Sequence, residues 1–256
     1  MKMKIIISPA KKINNTENKE NMRFSHCSFL NEASELIEIL KEFTPSKLSK
    51  LMNISHNLSL LNAERYVNWS LPFNTKNSKQ AIFSFTGDVY QGMNIDDFDN
   101  NDFDFSQKNL RILSGLYGIL KPLDLIQPYR LEMGTKLETE RGQNLYQFWG
   151  NLLTTYIKKE IRENKDNYLV NLASNEYIKA INMKELDPHC VTPVFKDLKN
   201  NKLKVISFFA KKARGKMCRF IIKNKLTSIE QLKEFNDNGY IFDQNLSTEH
   251  EFIYTR

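Results

Sequence analysis

Short apolar runs alternate along this chain with longer segments whose apolar residues recur at helical spacing, and this alternation constrains the fold more than any other feature. The run at residues 5–7, closed by Pro9, is typical of a buried strand that enters a loop. Across residues 29–40 the apolar positions recur every three or four residues, which predicts a core-facing amphipathic helix. The chain has no internal repeat and no Pro/Gly/Ser linker, so we predict one compact domain over residues 1–256, of mixed α/β (α+β) class, with a mixed sheet flanked by helices.

Capping residues and apolar spacing locate further elements. Thr44-Pro45 supplies a cap and a first-turn proline for a second helix, and a third is predicted over residues 55–69. Another helix is expected to begin near Phe105, residues 145–164 have helical character, and the segment from Thr227 to Glu230 matches a capping box. Strands are predicted at residues 81–85, 168–172, 191–195, 203–209, 240–243 and 252–255.

Composition restricts the compartment and the chemistry. No run approaches the roughly 18 consecutive apolar residues of a membrane helix, and the first apolar stretch is too short for a signal peptide, so a cytoplasmic protein with no membrane partner is expected. Cys27, Cys190 and Cys218 lie far apart and are odd in number, which predicts no structural disulfide. The four histidines are equally scattered, so we predict no metal site and no cofactor.

The formal charge of +7 is concentrated in one part of the chain. Residues 196–225 carry eleven Lys or Arg against the single acid Asp197, which gives this segment a net charge of +10. Like charges at this density repel one another in a folded protein, and a polyanionic partner, most commonly nucleic acid, relieves the repulsion. A solvated, lysine-rich surface explains the charge equally well.

Within this basic segment an apolar strand runs into a predicted helix that begins near Lys211. Helical spacing places Ala213, Met217 and Ile221 on one face of that helix. On the opposite face it places a cationic stripe, which consists of Lys212, Lys216, Arg219 and Lys223. Such a stripe can neutralise several backbone phosphates of a duplex. The alternative is an ordinary solvated helix face.

Residues 110–122 place two apolar segments around Gly115 and Gly118, and this pattern looks like a helix-hairpin-helix. Glycines let such a turn approach DNA closely, so that its backbone amides can hydrogen-bond a phosphate without reading sequence. Two residues separate these glycines where the usual hairpin has one, and Pro122 interrupts the second helix unless it lies in the first turn. A plain helix end followed by a loop is the alternative.

Asp88 follows a predicted strand end, where polar groups often converge in α/β proteins, and it is a candidate site residue. A neighbouring Lys211 or Lys212 could attack a sugar C1′ if burial kept its amine uncharged, as lyase chemistry on damaged DNA requires. An acid paired with a lysine is more often structural. Arg130, Glu132 and Arg141 also flank the centre of the chain, and an interior Arg–Glu pair fits them equally well.

Six blocks of this sequence resemble the YaaA family of bacterial peroxide-stress-response proteins and occur in the same order over nearly the whole chain. They are residues 7–11 (ISPAK), 85–90 (FTGDVY), 102–105 (DFDF), 110–133 (LRILSGLYGILKPLDLIQPYRLEM), 144–150 (NLYQFWG) and 205–222 (VISFFAKKARGKMCRFII). The resemblance implies a role in the response to hydrogen peroxide, attributed to limiting free intracellular iron. It also implies a single-domain mixed α/β fold with a helix-hairpin-helix element and a positively charged cleft that binds duplex DNA.

By position, the resemblance puts the helix-hairpin-helix on residues 110–122, and it puts six cations in the cleft: Lys11, Lys12, Arg130, Lys211, Lys212 and Arg214. Together with the basic stripe, this defines the predicted nucleic-acid-binding residues. They are Lys11, Lys12, Arg111, Ser114, Gly115, Tyr117, Gly118, Lys121, Arg130, Lys211, Lys212, Arg214, Lys216, Arg219 and Lys223.

These observations favour a DNA-binding protein of the peroxide response that contacts duplex DNA largely independently of sequence, with no obligate protein partner and no established catalytic activity. The main rival is an enzyme, either a nucleic-acid lyase or glycosylase with Asp88, Lys211 and Lys212 as candidate catalytic residues, or a hydrolase of a small phosphorylated compound in the same cleft. A third hypothesis is an iron-binding or regulatory protein. The sequence has no cluster of iron ligands, so an effect on iron is expected to be indirect.

Overall fold

A computed structural model describes residues 3–14, 23–186 and 188–256. The strands are β1 (Met3–Ile7), β2 (Lys12–Ile13), β3 (Lys79–Gln80), β4 (Phe85–Thr86), β5 (Leu110–Ser114), β6 (Gly118–Leu120), β7 (Leu125–Ile126), β8 (Tyr168–Leu172), β9 (His189–Lys199), β10 (Lys202–Lys204), β11 (Ile241–Phe242) and β12 (Glu251–Thr255). The α-helices are α1 (Leu30–Lys41), α2 (Pro45–Met52), α3 (His56–Asn68), α4 (Ala81–Ser84), α5 (Asp88–Met93), α6 (Asn100–Asn109), α7 (Leu145–Trp149), α8 (Leu152–Asn164), α9 (Asn175–Ile178) and α10 (Ser207–Lys223). None of the described helices is both long and apolar enough to cross a membrane.

The central sheet has the strand order β11-β12-β9-β8-β1-β5-β6. Strand β1 runs parallel to β5 on one side and to β8 on the other, and β9 and β12 continue the parallel part beyond β8. The pairs β5–β6 and β11–β12 are antiparallel, so the sheet is mixed, as predicted. Because the chain leaves β1 for one side and later reaches β8 on the other, the carboxyl ends of β1 and β8 flank a switch point, where α/β proteins commonly bind ligands.

The first predicted elements are confirmed. All five residues of β1 are buried, as expected for a strand covered on both faces. The Thr44 side chain caps α2 by accepting a hydrogen bond from the Lys47 amide at 3.3 Å. Helix α1 buries a single stripe at helical spacing, which consists of Ala33, Leu36, Ile37 and Leu40. This region follows from local sequence alone.

Other segments differ from the prediction. Residues 81–84 form α4 where a strand was expected, because a short apolar run does not distinguish a buried helical turn from a buried strand. The strand predicted at residues 203–209 ends at Lys204, and α10 already begins at Ser207. Helix α6 begins five residues before Phe105, since Asp99 and Asp102 form a reciprocal capping box.

The capping box predicted from Thr227 to Glu230 lies one residue later. Ser228 accepts from the Glu230 amide at 3.3 Å, and the Gln231 side chain accepts from the Ser228 amide at 3.1 Å. The segment contains two overlapping capping patterns. The one that begins at Ser228 forms because it allows Ile229 and Leu232 to be buried. The resulting helix, Ile229–Glu234, is a 3₁₀-helix.

Residues 110–122 form a β hairpin, so the predicted helices on both sides of Gly115 and Gly118 are wrong. Strands β5 and β6 pair antiparallel, and Ser114 lies opposite Gly118. Gly118 has a φ of +66°, and a Cβ there would lie 2.9 Å from the Trp149 ring, so this turn requires glycine. Every residue from 110 to 120 is buried. An apolar run without polar alternation fits a fully buried strand as well as a buried helix, which is why the pattern misled.

Candidate functional site at the carboxyl edge of the sheet

Two serines join the carboxyl ends of β1 and β8. Ser8 Oγ accepts a hydrogen bond from the Ser174 amide at 2.9 Å, and the two hydroxyl oxygens lie 3.3 Å apart. The hydroxyl of Tyr90, on α5, donates to the Ser8 carbonyl oxygen at 3.2 Å. Burial raises the pKa of Tyr90 well above its ordinary value, so the hydroxyl keeps the proton that it donates. These contacts fix α5 beside the switch point, and we call this region the carboxyl edge.

Two of the predicted cleft cations share one carboxylate at this edge. Glu132 Oε1 lies 2.8 Å from Arg130 Nη2, and Glu132 Oε2 lies 2.7 Å from Lys11 Nζ. Lys12 belongs to β2, which pairs with β4 immediately before α5. Because β2 pairs with β4, Lys12 lies beside the strand that leads to Asp88.

Helix α10 reaches the same region because it packs closely on α5. A Cβ at Gly215 would lie 1.8 Å from the Val89 carbonyl oxygen, and one at Gly92 would lie 2.2 Å from the Lys212 carbonyl oxygen. Only glycine allows backbones to approach this closely. The first half of α10, held in this way beside α5, carries three of the predicted cleft cations: Lys211, Lys212 and Arg214.

The candidate catalytic residues are neighbours in the fold but do not form a pair. Within the described residues, Asp88 makes no ion pair and no side-chain hydrogen bond with Lys211 or Lys212. Burial lowers the pKa of the half-buried Arg214, and this side chain also has no acidic partner in the described part of the chain. The first half of α10 therefore presents cations that no carboxylate in residues 3–14, 23–186 and 188–256 neutralises.

The second half of α10 differs, because every stripe cation beyond Lys212 meets an acid. The pairs are Lys216 with Asp237 at 2.5 Å, Arg219 with Asp97 at 2.6 and 2.7 Å, and Lys223 with Asp102 at 2.9 Å. The hydrogen bond from Arg219 holds the pKa of Asp97 at about 2. The predicted cationic stripe is thus neutralised along the second half of the helix, since Asp237 and the acidic segment at residues 96–104 fold against it.

Several predicted nucleic-acid-binding residues are buried in and around the β5–β6 hairpin, where a phosphate cannot reach them. They are Arg111, Ser114, Gly115, Tyr117 and Gly118. Arg111 is 2% exposed and forms a bidentate ion pair with Glu160, at 2.6 and 2.7 Å. The Tyr117 hydroxyl accepts a hydrogen bond from the Trp69 indole at 3.0 Å. Lys121 is partly exposed and lies 3.8 Å from Glu160. The side chains of Arg111, Ser114 and Tyr117 are thus part of the core, whereas Lys121 remains partly exposed.

A helical hairpin is present elsewhere, in α2 and α3, and the sequence reasoning did not recognise it. Asn53 connects the helices in the left-handed conformation, with φ 49° and ψ 56°. Ser49 Oγ donates to the Ile54 carbonyl oxygen at 2.6 Å, and Ser55 Oγ caps α3 by accepting from the Leu58 amide at 3.4 Å. Both helices were predicted, so the missed signal is their three-residue connection, with asparagine at the left-handed position.

Cysteine thiolates and clusters of metal-binding side chains are the groups through which a protein can act directly on peroxide or on iron. Burial raises the pKa of Cys190 to about 11 and that of Cys218 to about 12, and it raises the pKa of Cys27 well above its ordinary value. Such thiols are protonated at neutral pH, whereas the thiolate is the form that peroxide oxidises. Among the residues that the structure describes, no three His, Cys, Asp or Glu side chains converge as a metal site requires.

Comparison with known proteins identifies the family. The family model described as "Peroxide stress protein YaaA" matches residues 3–246. A relative from Colwellia psychrerythraea, named as a UPF0246 protein, is 49% identical over 254 residues, which cover 99% of this chain and 99% of the relative. This chain therefore belongs to the family of the peroxide stress protein YaaA.

Proposed function

We propose that this peroxide stress protein binds duplex DNA at the carboxyl edge, largely independently of sequence. The observation that carries the proposal is the set of cations there without an acidic partner in the described residues: Lys12, Lys211, Lys212 and Arg214. Long cationic side chains neutralise backbone phosphates and release counterions, which supplies affinity but no base discrimination. The second half of α10, whose stripe cations are paired with acids, has its charge neutralised within the protein. We call it the paired half, and it should contribute little to duplex affinity.

The α2–α3 hairpin is the second contact in this proposal and replaces residues 110–122 as the helix-hairpin-helix-like element. A helix start leaves amides without intrahelical partners, and such amides bind phosphate. Lys47 and Lys50 are exposed on α2 next to the turn at Asn53. The hydroxyl of Tyr66, on α3, donates a hydrogen bond to the Arg130 carbonyl oxygen, so the hairpin is in contact with the carboxyl edge. A duplex that spans both elements would be held by its backbone.

The test is binding of a labelled duplex at several salt concentrations. A Lys12→Met, Lys211→Met, Lys212→Met variant should bind at least tenfold more weakly at low salt, with a salt slope smaller by roughly 3, since each lost phosphate contact removes about 0.9. The matched control removes three charges from the paired half of the same chain, with Lys216→Met, Arg219→Met and Lys223→Met, and should bind nearly as wild type. Circular dichroism checks that both variants are folded. Absence of duplex binding by the wild type at low salt rejects the proposal.

In this proposal the protein protects DNA against peroxide by binding to it, and its effect on free iron is indirect. An indirect effect on iron is supported by the protonated thiols and by the lack of a convergent ligand cluster in the described residues. Metal analysis of freshly purified protein checks it. Stoichiometric iron would contradict the proposal and favour an iron-binding function.

One observation favours a second candidate, an enzyme that acts on a small phosphorylated substrate. A cavity of about 500 Å³ opens beside Gly87 and Tyr90, and its wall includes Thr86, Gln91 and Asp96. Its volume is that of a small-molecule site, for which roughly 300–1,000 Å³ is usual. The nucleic-acid lyase is less favoured, because Asp88 and the α10 lysines are not paired. Borohydride trapping with abasic DNA separates these cases, since only a lyase gives a covalent adduct at Lys211 or Lys212.

A further inference from the structure

Two arginines from separate parts of the chain, Arg65 and Arg130, lie close enough to influence each other electrostatically where α3 meets the carboxyl edge. The Tyr66 hydroxyl donates a hydrogen bond to the Arg130 carbonyl oxygen and so fixes α3 against this segment. Burial lowers the pKa of Arg65, and the nearby Arg130 charge lowers it further. Guanidinium groups do not lose their protons in proteins, so the fold holds two like charges close together in a partly dry environment.

The carboxylates nearby do not balance these charges. Glu132 faces the cluster, but it is shared between Arg130 at 2.8 Å and Lys11 at 2.7 Å. Glu64 is exposed, and its attraction for Arg65 is weaker than the repulsion from Arg130. Among the residues that the structure describes, three cations are therefore opposed by the single carboxylate of Glu132, which leaves a surplus of about two positive charges.

Both arginines also have hydrogen-bonding capacity that the protein leaves unused. The Nε atoms of Arg65 and Arg130 are buried and make no hydrogen bond within the described residues. The Arg65 Nη1 contact with Asn62 Oδ1 is long, at 3.4 Å. Buried donors are almost always satisfied in folded proteins, and an Nε–H beside an Nη–H is the fork that binds two oxygens of a carboxylate or phosphate.

We propose that Arg65, Arg130 and Lys11 form a site for a phosphate monoester dianion. Two negative charges match the surplus, and several oxygens can use the free guanidinium donors. The Lys11 side chain is 60% exposed whereas that of Arg130 is 16% exposed, so Lys11 is the more accessible of these two cations. A half-buried site of this kind accepts a terminal phosphate more readily than the middle of a phosphodiester chain. For a phosphorylated DNA end the proposal rests on the proposed function, whereas for free phosphate it does not.

The first experiment measures binding of inorganic phosphate to the full chain, by the shift in thermal midpoint and by calorimetric titration, with sodium chloride at matched ionic strength. Phosphate should raise the midpoint of the wild type in a saturable manner. The Arg65→Met, Arg130→Met variant should bind phosphate roughly 10- to 100-fold more weakly, as expected for lost charge-assisted hydrogen bonds. No phosphate effect in the wild type, or an equal effect in the variant, overturns the proposal.

Two further variants keep the result interpretable. Arg65→Lys with Arg130→Lys retains the charges and most of the packing but removes the fork, and it should still lose at least about tenfold in phosphate affinity. Arg23→Met removes an exposed arginine that pairs with Asp104 at 2.6 Å, away from this cluster, and should bind phosphate as wild type. A lysine variant that binds phosphate with unchanged affinity contradicts bidentate recognition and overturns the site as assigned.

A second experiment identifies the source of the phosphate. Otherwise identical oligonucleotides with a 5′-phosphate and with a 5′-hydroxyl are compared on the wild type and the Arg65→Met, Arg130→Met variant. A gain of about tenfold from the 5′-phosphate, lost in the variant, supports a DNA end, whereas phosphate binding without such a gain supports a free phosphorylated compound. Duplex binding without any phosphate binding overturns this site and leaves the proposed function standing, and phosphate binding without duplex binding does the reverse.

Discussion

The two edges of the central sheet hold their cations in opposite ways. We call the side of the sheet where β1 and β5 begin the amino edge. There, Lys4 is fully buried, with Nζ 3.3 Å from Asp166, and it donates to the Lys108 carbonyl oxygen at 2.9 Å. Close by, Arg111 and Glu160 form their bidentate pair. At the carboxyl edge, Lys11 and Arg130 share one carboxylate, and the first half of α10 presents cations with no acid opposite them among the described residues.

The difference separates stability from binding. A buried charge that is matched within the protein is part of the fold, and removal of its partner is strongly destabilising. A surplus of charge of one sign opposes folding, and an external ligand of opposite charge can neutralise it. The amino edge is therefore expected to control unfolding, and the carboxyl edge is expected to control affinity for an anion.

The largest expected effect is at the amino edge. Glu160→Gln leaves Arg111 buried without a charged partner and should lower the free energy of unfolding by roughly 3–5 kcal/mol, measured by urea denaturation. The matched control on the same helix is Glu163→Gln, whose ion pair with Lys159 is exposed and 3.8 Å long, and which should change stability by less than about 1 kcal/mol. Equal losses in the two variants would remove the contrast between the edges.

The next effect concerns how the carboxyl edge is positioned. Gly215→Ala places a Cβ against the Val89 carbonyl oxygen, so it should lower the free energy of unfolding by about 1–3 kcal/mol or more and weaken duplex binding through displacement of α10. Gly134→Ala is the control, since its Cβ would meet the flexible Glu176 carboxylate at 3.1 Å. If Gly215→Ala folds and binds as wild type, backbone packing does not position this edge.

A smaller effect distinguishes the two halves of α10. Arg214→Met should leave the free energy of unfolding unchanged or raise it by up to about 1 kcal/mol, because a half-buried cation without a partner is removed. It should nevertheless weaken duplex binding several-fold. Arg219→Met, on the paired half, should show the opposite combination, with a slight loss of stability and unchanged duplex affinity. Urea denaturation and duplex titration of both variants check the four outcomes.

The smallest expected effect depends on pH. The hydrogen bond from Arg219 holds the pKa of Asp97 at about 2, below its ordinary value of 3.8, so the folded state binds this proton less tightly than the unfolded state. The resulting stabilisation is present above about pH 4 and is lost as the pH falls toward 2. Thermal midpoints of the wild type and Asp97→Asn between pH 2 and 5 should therefore converge at the acidic end. A difference that stays constant across this range would falsify the assignment.

Much of the local structure was predictable because short-range spacing specifies it. The α1 stripe, the Thr44 cap and the strand at residues 168–172 appear where the sequence places them. The hairpin at residues 110–122 was mispredicted because burial on both faces removes the alternation that distinguishes strand from helix. The α2–α3 hairpin was missed although both of its helices were predicted, since the conformation of Asn53 is not visible in residue spacing.

The sequence by itself determined the alternation of strands and helices, the family resemblance and the excess of positive charge in residues 196–225, because each depends on residue identity and local order. The tertiary structure decided which of those charges remain available. Asp97 and Arg219 are 122 positions apart, yet the fold brings them to 2.6 Å, whereas it brings Arg65 and Arg130 near each other without a balancing acid in the described part of the chain. Electrostatic energy depends on distance and burial, and for residues far apart in sequence only the packing of the whole chain sets both.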